Sequence, residues 1–167
     1  TFLNMEKKYK LTEETINVNG RTLHRIEALR DFNDVKKGDK GGFIENEKNL
    51  SQSGDCWVYG NAKVYDNAQV YNYANVFEDA MVCGNAKVCD NAKVYGNAWV
   101  FGNAKVYHNA VVYGNAEVYD YAEVYDDAKV FGDARIYGKA RVLDDAWVFD
   151  YAKVSGNAVI YGDAKVY

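Results

Sequence analysis

Ala92-Lys93-Val94-Tyr95-Gly96-Asn97-Ala98-Trp99-Val100-Phe101-Gly102-Asn103 is one six-residue phrase written twice, and that phrase runs with almost no interruption from Asp55 to Tyr167. Alanine returns every six residues from Ala62 to Ala164, and Val or Ile follows two residues after each one, from Val64 to Val166. A strict period of six fits no α-helix, whose apolar face recurs at about 3.6 residues. It fits a short strand of period two followed by a corner. Ala and Val then point inward, and the residues between and after them, usually Lys and Tyr, point outward. The last two of each unit, mostly Gly-Asn, Asp-Asn, Gly-Asp or Asp-Asp, tolerate left-handed backbone and tight turns, so they make the corner.

Strand and corner repeated with no room for a helix or a hairpin return predict an all-β parallel β-solenoid in which each strand pairs with the strand one full coil later. Burying one Val and one Ala contributes about 2 to 3 kcal/mol, and ordering six residues costs several times that in chain entropy. One coil cannot stand alone, so stability is cooperative along the stack. The chain has no proline, which would remove ladder donors.

An aliphatic residue followed four positions later by a small one, as in Val64 and Ala68, resembles the hexapeptide-repeat family. That resemblance, which spans about two-thirds of the chain, implies a left-handed, triangular solenoid with coils of about 18 residues, hence six to seven coils here. One feature departs from the family: the residue after the aliphatic one is usually small there and usually Tyr or Phe here.

Ahead of the repeats, residues 1–41 read as a cap and connector, and residues 42–167 as the solenoid. Thr1 to Asn4 precede Met5, which reads as a natural start, so those four are expected to be an expression remnant. Thr15 to Val18 lead into Asn19-Gly20, a strong two-residue turn signal, and Arg21 to Ile26 return, which predicts a β-hairpin. Ala28, Leu29 and Phe32 extend its apolar surface. Val35 to Gly42 is a charged connector whose Gly38, Gly41 and Gly42 read as turn glycines, since neither a Gly-Lys-Ser/Thr pattern nor a helix follows. Counting back in sixes from Ala62 lands on Cys56, Leu50 and Ile44, so the solenoid is expected to begin near Gly42 with an irregular first coil, closed by the hairpin. The N-terminal part with Gly41 to Glu45 also resembles uncharacterised repeat proteins often encoded in prophages. At the other end the chain stops at Tyr167 halfway through a unit, which implies either a shortened end or one that meets another molecule.

With 18 residues per coil, outward residues sort into three faces and three corners. The first face carries an unbroken aromatic column, Tyr59, Phe77, Tyr95, Tyr113, Phe131, Phe149 and Tyr167, beside a second column of Trp57, Asn75, Lys93, Val111, Lys129, Trp147 and Lys165. Part of such a column belongs to the fold itself, because rings one ladder spacing apart cover each other. Together with Trp57 and Trp147, the column Tyr59, Phe77, Tyr95, Tyr113, Phe131 and Phe149 makes an apolar strip rimmed by lysines, expected to bind protein and most simply a second copy of the chain. One corner stacks Asp90, Asn91, His108, Asn109, Asp126, Asp127, Asp144, Asp145 and Asp163 into an acidic ridge. Turn chemistry and solubility are its plain reading. Its sharper reading is a line of carboxylates that attracts a basic protein partner or imitates a phosphate backbone, as a phage-encoded inhibitor of a host nucleic-acid enzyme would.

Charge bounds the function. The chain has 24 Asp and Glu against 20 Lys and Arg, and the repeats themselves are net acidic, which argues against direct nucleic-acid binding despite the aromatic residues. No apolar run reaches the length of a membrane span and no signal peptide opens the chain, so a cytoplasmic protein is expected. Three cysteines at these spacings define neither a disulfide framework nor a zinc site, nothing gathers six to eight oxygens around one Ca²⁺, and no cofactor is called for. The solenoid has no threonine ladder for ice, since none follows Thr22. The rival reading is catalytic. Many hexapeptide-repeat proteins are acyltransferases using a histidine base between subunits, and here His108 is the candidate. Its expected neighbours Asp90 and Asp126 favour the protonated form and weaken it as a base, and no insertion in the repeats builds an acyl-donor pocket.

Overall fold

The computed structural model describes residues 6–167, so the reading of Thr1 to Asn4 falls outside the described residues. The chain is an all-β parallel β-solenoid of about seven coils. Three parallel sheets form its three faces, and two-residue strands recur every six positions from β4 (Trp57–Val58) to β22 (Lys165–Val166). Register follows the 18-residue period: Lys93 pairs with Asn75 below and Val111 above. Every inward-pointing Ala and Val of the interior coils is fully buried in one continuous core.

The hairpin forms as the Asn-Gly signal demands. β1 (Tyr9–Val18) and β2 (Arg21–Ala28) pair antiparallel, and Asn19 and Gly20 both adopt positive φ, 50° and 82°, the turn whose twist matches the flanking strands. β3 (Lys40–Ile44) then pairs with β2 on one side and, in parallel, with Lys63–Val64 of the solenoid on the other. The cap therefore extends one of the three sheets and occupies its edge. The expected domain boundary at residue 42 falls inside this strand.

Three expectations need correction here. Gly41 and Gly42 are strand glycines and not turn glycines: a Cβ on Gly41 would lie 2.6 Å from both Ile26 Cγ1 and Val58 O, and one on Gly42 would lie 2.5 Å from Ala62 O. They are glycine because the strand is pressed against the first coil. Only Gly38, at φ 94°, serves a turn. Ile44 and Leu50 pair with Val64 and Val70, so they hold the valine position, whereas counting in sixes places them in the alanine phase. The corner between Leu50 and Val58 is longer than the others by two residues, because Val58 pairs with Val76 in the regular register.

That longer corner is where the cap is clasped. Lys8, fully buried, donates from Nζ to Gly54 O at 3.1 Å and Cys56 O at 2.7 Å, with Cys56 Sγ at 3.3 Å. Gln52 accepts from the Lys8 and Tyr9 amides and donates back to Tyr9 O. Burial pushes the Lys8 pKa down and the Cys56 pKa up, yet every cap donor here has an acceptor, as a buried polar group requires. Asn49, on the short 3₁₀ turn Glu47–Asn49, is also buried and satisfied: it accepts from the Glu45 and Asn46 amides and donates to Asp66 O and Ala68 O.

The third correction concerns Trp57, which the periodicity places on the open first face. It is 1% exposed, because Tyr9 and Phe32 meet its ring edge-on at 6.1 and 5.1 Å. The cap segment continues to Tyr59, whose hydroxyl donates to Asp34 at 2.8 Å. The open part of the first face thus begins one coil later than the sequence pattern suggests.

Candidate functional site

The first face presents the expected aromatic column, with a geometry that sequence could not supply. Phe77, Tyr95, Tyr113, Phe131, Phe149 and Tyr167 stack ring on ring at 4.7 to 5.5 Å between centroids. The ladder spacing of about 4.8 Å imposes this, since each ring stands above the one a coil below. The ring faces are therefore occupied by one another and the edges are what solvent meets. Between Phe77 and Phe149 the column thus presents an apolar strip of ring edges. Rings from Phe77 to Phe149 are all half-buried, and burial raises the hydroxyl pKa of Tyr95 and Tyr113.

Beside the rings runs the column of Asn75, Lys93, Val111, Lys129, Trp147 and Lys165. Trp147 meets Phe131 edge-on at 5.9 Å, and Lys129 and Lys165 place their Nζ over its ring at 5.2 and 4.2 Å. A cation above and another below hold the indole in place. At the cap end, Asp34, Tyr59, Asn75, Phe77 and Lys93 line a shallow depression.

The corner that stacks Asp90, His108, Asp126 and Asp144 has a hydrogen-bond pattern of its own. At each corner one residue adopts a left-handed conformation, among them Asp66, Asp90, His108, Asp120, Asp126 and Asp144 at φ between 53° and 58°. When that residue is Asp, its carboxylate accepts from the amide of the corner residue one coil later: Gly84 on Asp66, His108 on Asp90, Gly138 on Asp120, Asp144 on Asp126 and Gly162 on Asp144, at 3.0 to 3.4 Å. These amides point along the axis where no carbonyl meets them, so the aspartate serves the coil stack as a cap serves a helix. The signal was legible as Asp in place of Gly at the first corner position, though not the coil it reaches. Asp90, Asp126 and Asp144 of the ridge have this role. Asp127, Asp145 and Asp163 are exposed turn residues on the side of the first face, where Asn91 and Asn109 of the same column share a groove with Lys93 and Val111.

His108 is half exposed, with Nδ1 2.7 Å from Asp126 Oδ1 and Nε2 4.0 Å from Asp90 Oδ2. Tyr107 and Tyr125 stack on each other at 4.8 Å and meet the imidazole edge-on. The ridge around it is an open, shallow surface shared by Asn109, Asp127, Asp145 and Asp163. Among the described residues no group of three His, Cys, Asp or Glu side chains could hold a metal ion, and no helix is long and apolar enough to cross a membrane. Cys83 and Cys89 lie on different faces, and Cys56, Cys83 and Cys89 are all free thiols.

The fold is a parallel β-solenoid built from six-residue units. No family model matches the chain. Among curated proteins it is similar to an uncharacterized acetyltransferase, YdcK of Escherichia coli (strain K12), with 41% identity over 61 residues, which cover 32% of this chain and 19% of that protein. The match thus spans about a fifth of the relative's length.

Proposed function

We propose that this solenoid is a non-catalytic binding protein whose working surface is the first face from Phe77 to Lys165, and that the surface joins copies of the chain. The observation that carries this reading is the paired column: stacked ring edges alongside Lys93, Val111, Lys129, Trp147 and Lys165 form a straight, regular apolar strip with a charged rim. Strips of that kind characterise interfaces. Strands recurring every six residues from Trp57 to Val166, with no loop inserted between them, support it further. The test is solution mass by light scattering over a concentration series, for the chain and for a Trp147→Lys, Phe149→Lys variant. A dimer or trimer that the double substitution converts to a monomer supports the reading. A parent that stays monomeric at the highest concentration removes self-association as the role of this face.

One observation favours a second reading. The 2.7 Å contact from Asp126 to His108 Nδ1 orients an imidazole as a carboxylate orients a general base, and the relative of partial length carries an acetyltransferase name. Hexapeptide-repeat acyl transfer with His108 as base is the activity this suggests. Against it, Nε2 faces Asp90 and no wall encloses the site. Saturable binding of an acyl-coenzyme A that His108→Ala abolishes would favour this alternative, and no binding would remove it.

A further inference from the structure

Charge is not mixed evenly over the coils. Each coil that crosses the acidic corner goes straight on to the outer column of the first face, so corner and column can be compared height by height. Asp90-Asn91 leads to Lys93, His108-Asn109 to Val111, Asp126-Asp127 to Lys129, Asp144-Asp145 to Trp147 and Gly162-Asp163 to Lys165. Where the corner has a carboxylate the column has a lysine, and where the corner has none the column is uncharged, Asn75 after Asn72-Tyr73 and Val111 after His108-Asn109. Trp147 is the one aromatic exception, and Lys129 and Lys165 both lean over its ring. The column therefore presents positive charge at that height as well.

Within one chain these opposite charges do not pair. Among the described residues none of the ion pairs joins the ridge to Lys93, Lys129 or Lys165. The ridge carboxylates bond instead along the axis, to His108 and to the amides and Asn side chains of adjacent coils. Two parallel columns of opposite sign, matched in height and unpaired with each other, are self-complementary. A half-turn about a line parallel to the solenoid axis and lying between the columns keeps every coil at its height and exchanges the two sides. A second copy so placed sets its ridge along the first copy's lysines and its lysines along the first copy's ridge, which is the isologous arrangement a two-fold requires. A half-turn about a line across the solenoid instead leaves the sides unchanged, so ridge would meet ridge and lysine would meet lysine.

We infer that the partner of this face is a second copy of the same chain, packed with its solenoid axis parallel to the first, the acidic ridge of each copy lying along the lysine column of the other. The inference rests on the reading of this face as a self-association surface. Trp147 stands in the lysine column between Lys129 and Lys165 and so faces the partner's ridge, and the charges set orientation and register.

The experiment uses two double variants at positions of equal height: Asp127→Lys with Asp163→Lys, and Lys129→Glu with Lys165→Glu. Each alone sets like charges against each other in a homodimer, whereas an equimolar mixture restores both pairings in a heterodimer. Sedimentation velocity is run on the parent, each variant and the mixture, at low and high salt, with circular dichroism to show that each variant keeps the fold. The expected result is a parent dimer whose dissociation constant weakens roughly tenfold between about 50 and 500 mM salt, two monomeric variants, and a dimer from their mixture. Variants that dimerise like the parent with no salt dependence, or a mixture that stays monomeric, overturn the charge pairing and leave self-association standing. A parent that is monomeric under every condition overturns the reading of the face itself, and this inference with it.

Discussion

Gly114 tests the account of the corners most directly. It sits at φ 68° with Gly132 one coil above, and a Cβ added to it would lie 2.9 Å from Gly132 N and 3.1 Å from Gly132 O. Alanine there meets two costs, a left-handed backbone of about 1 to 2 kcal/mol and a close approach to backbone that cannot move aside, for a total of about 2 to 3 kcal/mol. Gly60 separates the two, because at φ 60° its added Cβ meets nothing closer than Glu78 O at 3.6 Å; Gly60→Ala should lose only the backbone part, about 1 kcal/mol. Gly114→Asp is the informative change. Aspartate occupies the same corner position at Asp66, Asp120 and Asp144 with φ near 55°, in each case accepting from the glycine amide one coil later at 3.0 Å. A carboxylate at position 114 should reach the Gly132 amide in the same way, and a bond worth about 1 kcal/mol offsets part of the cost that its Cβ shares with alanine. Stability measured from denaturant midpoints at constant slope should therefore rank parent, then Gly114→Asp about 1 to 2 kcal/mol below it, then Gly114→Ala. If Asp falls as far as Ala, or if Gly114→Ala is no worse than Gly60→Ala, the aspartate does not serve the coil above and the corner account is wrong.

Two further outcomes are expected. Burial holds the phenol of Tyr107 up to about 12 and raises those of Tyr59, Tyr95, Tyr113 and Tyr119 as well. With an unfolded value near 10, the native chain binds more protons than the unfolded chain above that pH. The tyrosines' stabilising contribution is full below about pH 10 and is lost as pH rises towards 12. Buried Lys8, whose pKa is lowered, acts oppositely as one group against several. Melting temperature should fall steeply above about pH 10, with tyrosinate absorbance rising in step with loss of structure; phenols that titrate near 10 in a still-folded chain would refute this. Gly41→Ala should cost about 1 to 3 kcal/mol through overpacking, since Ile26 and the Val58 carbonyl leave no room for a methyl group. An unchanged denaturation midpoint would show that the strand can move off the first coil.

The period of six announced strands, corners, core and coil length, because each is a local property repeated without exception: Ala62 and Val64 say what points inward, and Gly96-Asn97 says where the chain bends. The hairpin was equally legible in Asn19-Gly20, whose preference is a matter of backbone sterics alone. What failed to show were contacts between segments far apart in the chain. Nothing in Lys7-Lys8-Tyr9 marks Lys8 as the buried donor to Gly54 and Cys56, and a single aromatic at position 57 reads alike whether open or covered by Tyr9 and Phe32. Gly41-Gly42 looked like a turn because sequence cannot distinguish a glycine that bends from one that is pressed upon.

The candidate surfaces divide in the same way. Which residues share a column followed from counting by 18, so the vertical neighbours of Phe77 and of Asp90 were both legible in the sequence. Stacking at one ladder spacing turned the rings edge-outward, and the corner amides, pointing back to the coil below, engaged the ridge carboxylates on the axis side. Those are consequences of how close one coil lies above the next, a distance fixed by backbone hydrogen bonds between residues 18 apart. Local preference decided what each six-residue unit would be, and only the stacking of the coils decided what their side chains could still meet.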